Sequence, residues 1–279
     1  MATELERRPI AERVGAFSLD RYARLRKNLA LSRQLVAGRR RDLRFRVLPY
    51  DALQIANATV VIATLIAILV VVLDPLLFAW QEKLPESVVT LFRYVTRFGK
   101  SDWILIGTGL FQILMLVLDA TALSARLRVK WAVRSVTASY VFASVAIAGI
   151  IANISKYVIG RARPKYFPET GSVSFDFWSG DASWASFPSG HATTAMALGV
   201  SLALLFPKLR WVFLCLGFWI AASRLFVLAH YPSDMFAGCL LGAGTAWLFA
   251  RALARRRLIF SFDANGDLIR RRGASGRLL

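Results

Sequence analysis

Apolar and polar positions in this chain separate on the scale of whole helices rather than of single turns. An uncharged apolar run over residues 55–73 is long enough to cross a bilayer, which takes about 17–25 residues as a helix. A second run, residues 103–123, is broken only by Asp119 near its end. A third, residues 132–154, carries Arg134 close to its entry. Three shorter runs follow at 191–206, 211–227 and 235–250, joined by brief polar turns. The first of these barely suffices at about 1.5 Å per residue. The pattern predicts an all-α polytopic membrane protein, with a compact six-helix transmembrane bundle over residues 51–250. Basic flanks at 1–50 and 251–279 complete the domain organisation.

Composition sharpens this reading. Hydrophobic residues make up 56% and charged residues 19% of the 279, against about 45–50% and about 25% in soluble domains. Intrinsic disorder is excluded, because such chains lack apolar residues. A disulfide-stapled secreted domain is excluded too, since Cys215 and Cys239 are the whole cysteine complement. They read as small apolar helix residues.

The formal charge of +19 would ordinarily suggest nucleic acid as a partner. Its distribution argues otherwise. If six helices alternate, 27 of the 36 Lys and Arg residues fall on one side of the membrane: the flanks, the turn at 126–134, and Lys208 with Arg210. That is the positive-inside pattern. It predicts a plasma-membrane protein (the inner membrane of a bacterium) with both termini cytoplasmic, the bilayer as partner and no nucleic acid. Residues 1–50 show no apolar core of a signal peptide. Within them Tyr22, Leu25, Leu29 and Leu35 would share one helical face, suited to anionic headgroups or to a solvated tail. Residues 259–269, centred on Asn265-Gly266, read as a small hairpin.

Three polar clusters interrupt the apolar pattern, all at the face opposite the basic one. The third helix ends in a stretch holding Lys156, Arg161, Arg163 and Pro164, and the fourth begins Pro188-Ser189-Gly190-His191. The fifth leaves through Ser223-Arg224, and the turn into the sixth holds His230 and Asp234. Lys156, Arg163 and Arg224 place cations where the positive-inside rule prefers none, and such groups match phosphate oxygens. Ser189 and Gly190 begin a helix whose N–H groups suit an anion. The chain has two histidines, and each falls in a cluster. One can attack phosphorus while the other protonates the leaving oxygen. Asp234, four residues after His230, can hold its Nδ1–H as the acid of a triad does. Taken singly, these residues admit plainer readings, with Lys156 a snorkelling anchor and Asp234 an N-cap.

Jointly, Lys156-x6-Arg163-Pro164, Pro188-Ser189-Gly190-His191 and Ser223-Arg224-x5-His230-x3-Asp234 resemble the three signature motifs of the type 2 phosphatidic acid phosphatase (PAP2) superfamily. The resemblance covers about residues 50 to 250. It implies His230 as a nucleophile forming a phosphohistidine, Asp234 orienting it, and His191 as general acid. It further implies phosphate binding by Lys156, Arg163, Ser189, Gly190 and Arg224, and neither metal nor cofactor. The substrate implied is the phosphomonoester or diphosphate of a membrane lipid, such as phosphatidic acid, phosphatidylglycerol phosphate, undecaprenyl diphosphate or a lipid A phosphate, met at the non-cytoplasmic face.

Arg161 and Lys165 lie outside the motif and are assigned only an attraction for anionic substrate. Trp178 and Trp184 read as interfacial anchors, with lining of the lipid entrance as the alternative. Vanadium-dependent haloperoxidases use a similar site but are soluble and larger, which these spans oppose. The remaining alternative is a non-enzymatic transporter or scaffold with a vestigial site. Transporters commonly hold charges at mid-membrane, whereas these cluster at helix ends.

Overall fold

A computed structural model describes residues 22–30, 33–34, 38, 41–118 and 122–271. The first span begins at α1, Ala52–Ile68. Asp51 caps it by accepting from the Gln54 N–H at 2.8 Å, while Gln54 Oε1 accepts from the Asp51 N–H at 3.1 Å. This reciprocal pair satisfies two donors that a helix start otherwise leaves open. A π turn at Leu69–Leu73 leads directly into α2, Asp74–Gln81. The second span joins α3, Glu86–Val95, through a 3₁₀ turn at Thr96–Gly99 to α4, Asp102–Val117. α5 runs 35 residues, Ala125–Ile159. α6 is Gly190–Leu205, α7 is Arg210–Phe226 and α8 is Pro232–Arg255.

Five of these helical stretches are long and apolar enough to cross a membrane, and α6 is a shorter apolar helix of 16 residues. α6 packs against α5, α7 and α8 together. Its buried positions, among them Ala192, Thr193, Ala197, Gly199 and Ser201, are small except for Leu205 at its end and lie on every side. A helix buried all round answers to its protein neighbours rather than to bilayer thickness. That explains a length that looks marginal in the sequence. The opposite regime holds for α1, where Val60 is 65% exposed and no residue is buried.

The second run ends earlier than its hydropathy predicts, at Val117 rather than residue 123. Leu118 is already extended, and Asn28 Nδ2 donates to the carbonyls of Leu116 and Leu118, both at 2.6 Å. A side chain from the N-terminal flank thus satisfies acceptors that the helix end leaves open. Asp119 lies outside the described residues, as does Leu35 of the anticipated N-terminal face. The hairpin expected at 259–269 is present, with β1, Phe260–Phe262, paired antiparallel to β2, Leu268–Arg270. Arg251 donates to the carbonyls of Arg46 and Val47, and Arg257 pairs with Asp42 at 2.8 Å. Both flanks are therefore docked on the end of the bundle that carries the basic turns.

Candidate active site

Gly160 ends α5 in the left-handed region, φ 56°, a conformation that costs a side-chain-bearing residue about 1–2 kcal/mol. A Cβ there would also stand 1.7 Å from the Asp176 carbonyl oxygen. The chain then runs extended between two parts of the loop it leads into. Arg161 bridges antiparallel to Phe175 and parallel to Ala185. The N–H groups of Ala162 and Arg163 donate to Ser174 and Ser183 at 3.1 Å, and the Ser186 N–H donates to Arg161 at 3.0 Å. This stitching delivers Arg163 and the start of α6 to the same place.

Ser189 is fully buried at the N-cap of α6, and its N–H donates to the Asp234 carbonyl at 3.0 Å. The second and third clusters therefore touch through the backbone. A Cβ on Gly190 would lie 3.1 Å from Lys156 Nζ, which puts that ammonium over the first turn of α6. From the last turn of α7, Arg224 donates Nη1–H to Thr96 Oγ1 at 2.8 Å. Its Nε–H is buried without a hydrogen-bond partner. Arg163 donates Nε–H to the Ala182 carbonyl at 3.0 Å. Beside it opens a cavity of about 600 Å³, lined also by Lys165, Ser183 and Leu228.

His230 is 2% exposed, and its Nδ1 lies 3.6 Å from Asp234 Oδ2. That separation is too long for a hydrogen bond, and Nδ1 has no other partner. Catalytic hydrogen bonds are often long before substrate arrives. The carboxylate itself is fixed: Oδ2 accepts from Ser186 Oγ at 2.6 Å and from the Tyr231 N–H at 2.9 Å. Burial pushes His230 down to about 4, with Asp234 opposing the shift and Arg224 and Arg163 reinforcing it. Its imidazole is therefore neutral at neutral pH and keeps a lone pair. His191 stands within electrostatic reach of Arg224, His230, Lys156 and Lys100. Gly99 packs on its ring, where a Cβ would come within 3.0 Å of Cδ2.

All eight residues singled out in the sequence thus gather at one end of the bundle. Two readings need correction. Asp234 is not the N-cap of α8: Tyr231 occupies that position, and Asp234 stands three residues on. Arg161 is no surface attractor, being 1% exposed and bonded to Asp234 Oδ1 at 2.6 Å and Asp74 Oδ2 at 2.7 Å. Burial disfavours its charge, yet the two carboxylates hold it above the ordinary arginine value. Lys165 is exposed, in keeping with its reading, and Trp178 is 76% exposed. Sequence reasoning missed Asp74, Thr96, Lys100, Ser186 and Ser233. A charge directly after an otherwise uncharged apolar run was the one available signal, and it pointed to Asp74.

Comparison with known proteins places the same stretch of chain in a family. The profile of the PAP2 superfamily matches residues 137–258, which hold all three clusters. The chain is 38% identical over 205 residues to a lipid A 1-phosphatase of Rhizobium johnstonii, covering 70% of this chain and 82% of that protein. It is 36% identical to a lipid A 1-phosphatase of Rhizobium etli, covering 65% and 78%. An undecaprenyl-diphosphatase of Sulfolobus acidocaldarius is 31% identical, over 38% of this chain and 50% of that protein. No solved structure matches the chain significantly.

Proposed function

This chain belongs to the PAP2 superfamily as a metal-independent membrane lipid phosphatase, and we propose that it removes the phosphate of a lipid A type glycolipid through a phosphohistidine on His230. One observation carries the mechanism: a buried, neutral His230 beside an oriented Asp234 carboxylate, among Lys156, Arg163 and Arg224. The cations and the N–H groups opening α6 would hold the phosphate oxygens. His230 Nε2 would attack phosphorus as the bond to the lipid oxygen breaks, and Asp234 would stabilise the positive charge growing on the ring.

His191 would give its proton to the departing lipid oxygen. A phosphate dianion entering among Lys156, Arg224 and Lys100 brings the negative charge against which His191 can carry that proton. Water would then attack the phosphohistidine, returning its proton to His191 and releasing phosphate. We further assign residues 51–250 as the phosphatase unit and the two docked flanks as cytoplasmic. The site then faces the periplasm or cell exterior, a reading supported by the distribution of Lys and Arg.

The lipid A preference rests on the two rhizobial relatives. Undecaprenyl diphosphate is the second reading, favoured by relatives bearing that activity in their names. The test is phosphate release from lipid A, undecaprenyl diphosphate, phosphatidic acid and phosphatidylglycerol phosphate, with His230→Ala as the blank. Lipid A should be the best substrate by kcat/KM. A higher kcat/KM on any of the other three would replace this assignment.

A further inference from the structure

Asp74 is fully buried, although its span mostly faces outward and nearby Val71 is 70% exposed. The π turn at Leu69–Leu73 ends immediately before it. Such a turn adds a residue to the helical repeat and so changes the face on which the following side chains stand. Here it turns Asp74 toward the start of α8. Oδ1 accepts from the Ser233 N–H at 3.0 Å, and Oδ2 accepts from Ser233 Oγ–H and from Arg161.

Arg161 spends all five of its N–H donors on this cluster. Nη1 serves Ser233 Oγ and Asp234 Oδ1, both at 2.6 Å. Nη2 serves Asp74 Oδ2 and the Ser172 carbonyl, both at 2.7 Å, and Nε reaches the same carbonyl at 3.3 Å. Its guanidinium lies over the Tyr231 ring, 4.3 Å from the centroid. A lysine could not reproduce this planar fork. For stability alone, a buried charge trio is commonly no better than apolar residues of the same volume.

The arrangement is a chain of contacts, Asp74 to Arg161 to Asp234 to His230. With both carboxyl groups ionised, one guanidinium charge is shared between them, and the trio then keeps one uncompensated negative charge beside the histidine. Without Asp74, Arg161 would neutralise Asp234 alone. We propose that Asp74 and Arg161 are positioning residues for the hydrolysis, fixing the Asp234 carboxylate and setting the negative charge it presents to His230. The first membrane span is thereby coupled to the nucleophile. This inference rests on His230 being the nucleophile, as assigned above.

The charge count makes the test directional. Asp74→Asn leaves the trio neutral, Arg161→Gln leaves it doubly negative, and the double variant restores the single charge. The groups facing His230, namely Asp234 from α8, Arg224 from α7, His191 from α6 and Arg163 from the turn after α5, are unchanged in all three. The experiment is kcat, KM and the pH profile of kcat/KM for the full-length protein in detergent micelles with lipid A, alongside thermal melting. The profile reports free-enzyme groups, and activity needs neutral His230. The wild-type acid limb should therefore fall near pH 4.

In Asp74→Asn the limb should move down and kcat drop roughly tenfold, with KM within about twofold. In Arg161→Gln the limb should move up by roughly half to one pH unit. The double variant should return it to the wild-type position. Limbs that stay put in both single variants, or that move together, overturn the proposal. So does an unmoved limb in Asp74→Asn alone, a near-isosteric change that decides the matter if Arg161→Gln does not fold. A wild-type protein that releases phosphate from none of the lipids tested would instead sink the functional assignment itself.

Discussion

Two histidines at one end of the bundle invite the assumption that they are interchangeable, and their surroundings say otherwise. His230 is buried, faces a fixed carboxylate and is neutral at neutral pH, which suits a nucleophile. His191 opens α6 between cations, where it suits proton delivery to a leaving oxygen. His230→Ala should therefore abolish turnover of every substrate. His191→Ala should lose roughly 10²–10⁴-fold on a lipid phosphate, whose alkoxide leaves poorly without a proton. It should keep far more of its rate on p-nitrophenyl phosphate, whose phenolate leaves unaided. Initial rates of both variants on both substrates, with acid-labile phosphate counted on the protein, check this. Equal losses for His191→Ala, or phosphoenzyme in His230→Ala, would reassign the roles. At this scale the sequence named the residues that the proposed mechanism sets against phosphate but misjudged those behind them. Motif residues announce themselves by spacing, whereas Arg161 meets Asp234 and Asp74 across 73 and 87 residues of chain. Nothing local distinguishes it from an exposed arginine.

The site exists because α6 and α8 approach closely, and small residues permit that approach. On α8, Gly238 and Gly242 stand four apart on one face. A Cβ at Gly238 would lie 2.5 Å from the Ser189 carbonyl oxygen, and one at Gly242 only 2.1 Å from that of Thr193. This small-xxx-small seam lets the helix backbones meet, and through it Ser189 reaches Asp234. Gly242→Ala should force the helices apart, costing about 1–3 kcal/mol and most of the phosphatase activity. Gly244→Ala, which has open space within 4 Å, should leave both unchanged. Melting temperature and phosphate release of the two variants provide the comparison, and matching behaviour would remove the seam from the account. Six apolar runs were legible at this scale, because a helix facing lipid, or like α6 buried among other helices, must be apolar. Their ends were less so. The first run stops at residue 73 by hydropathy, yet the helix continues to Gln81, since a distant arginine balances the charge of Asp74. The segment containing α3 carries Glu86 and Arg93, paired at 3.1 Å, and its polarity hid it.

For the whole molecule the decisive quantity is charge asymmetry. The end of the bundle opposite the site collects the basic turns and both flanks, tied down by Arg251 on the Val47 carbonyl and by Asp42 with Arg257. The site end holds fewer cations, and Lys156, Arg163 and Arg224 among them stand within electrostatic reach of one another. Positive charge resists translocation, so the flanked end should stay in the cytoplasm. The consequence can be read in cells. With Cys215 and Cys239 replaced, single cysteines would be placed at Arg128 in the first turn of α5, at Ala264 in the hairpin and at Asp176 in the loop beside the site. All three positions are exposed. A membrane-impermeant maleimide should label Asp176→Cys in intact cells (spheroplasts, if an outer membrane intervenes). It should label Arg128→Cys and Ala264→Cys only after the membrane is opened. Labelling of Arg128→Cys or Ala264→Cys in intact cells, with Asp176→Cys protected, would place the phosphatase site in the cytoplasm. The substrate would then have to be a lipid presented on the inner leaflet, before any export. Orientation therefore fixes which face of the membrane must present the lipid and where the released phosphate appears.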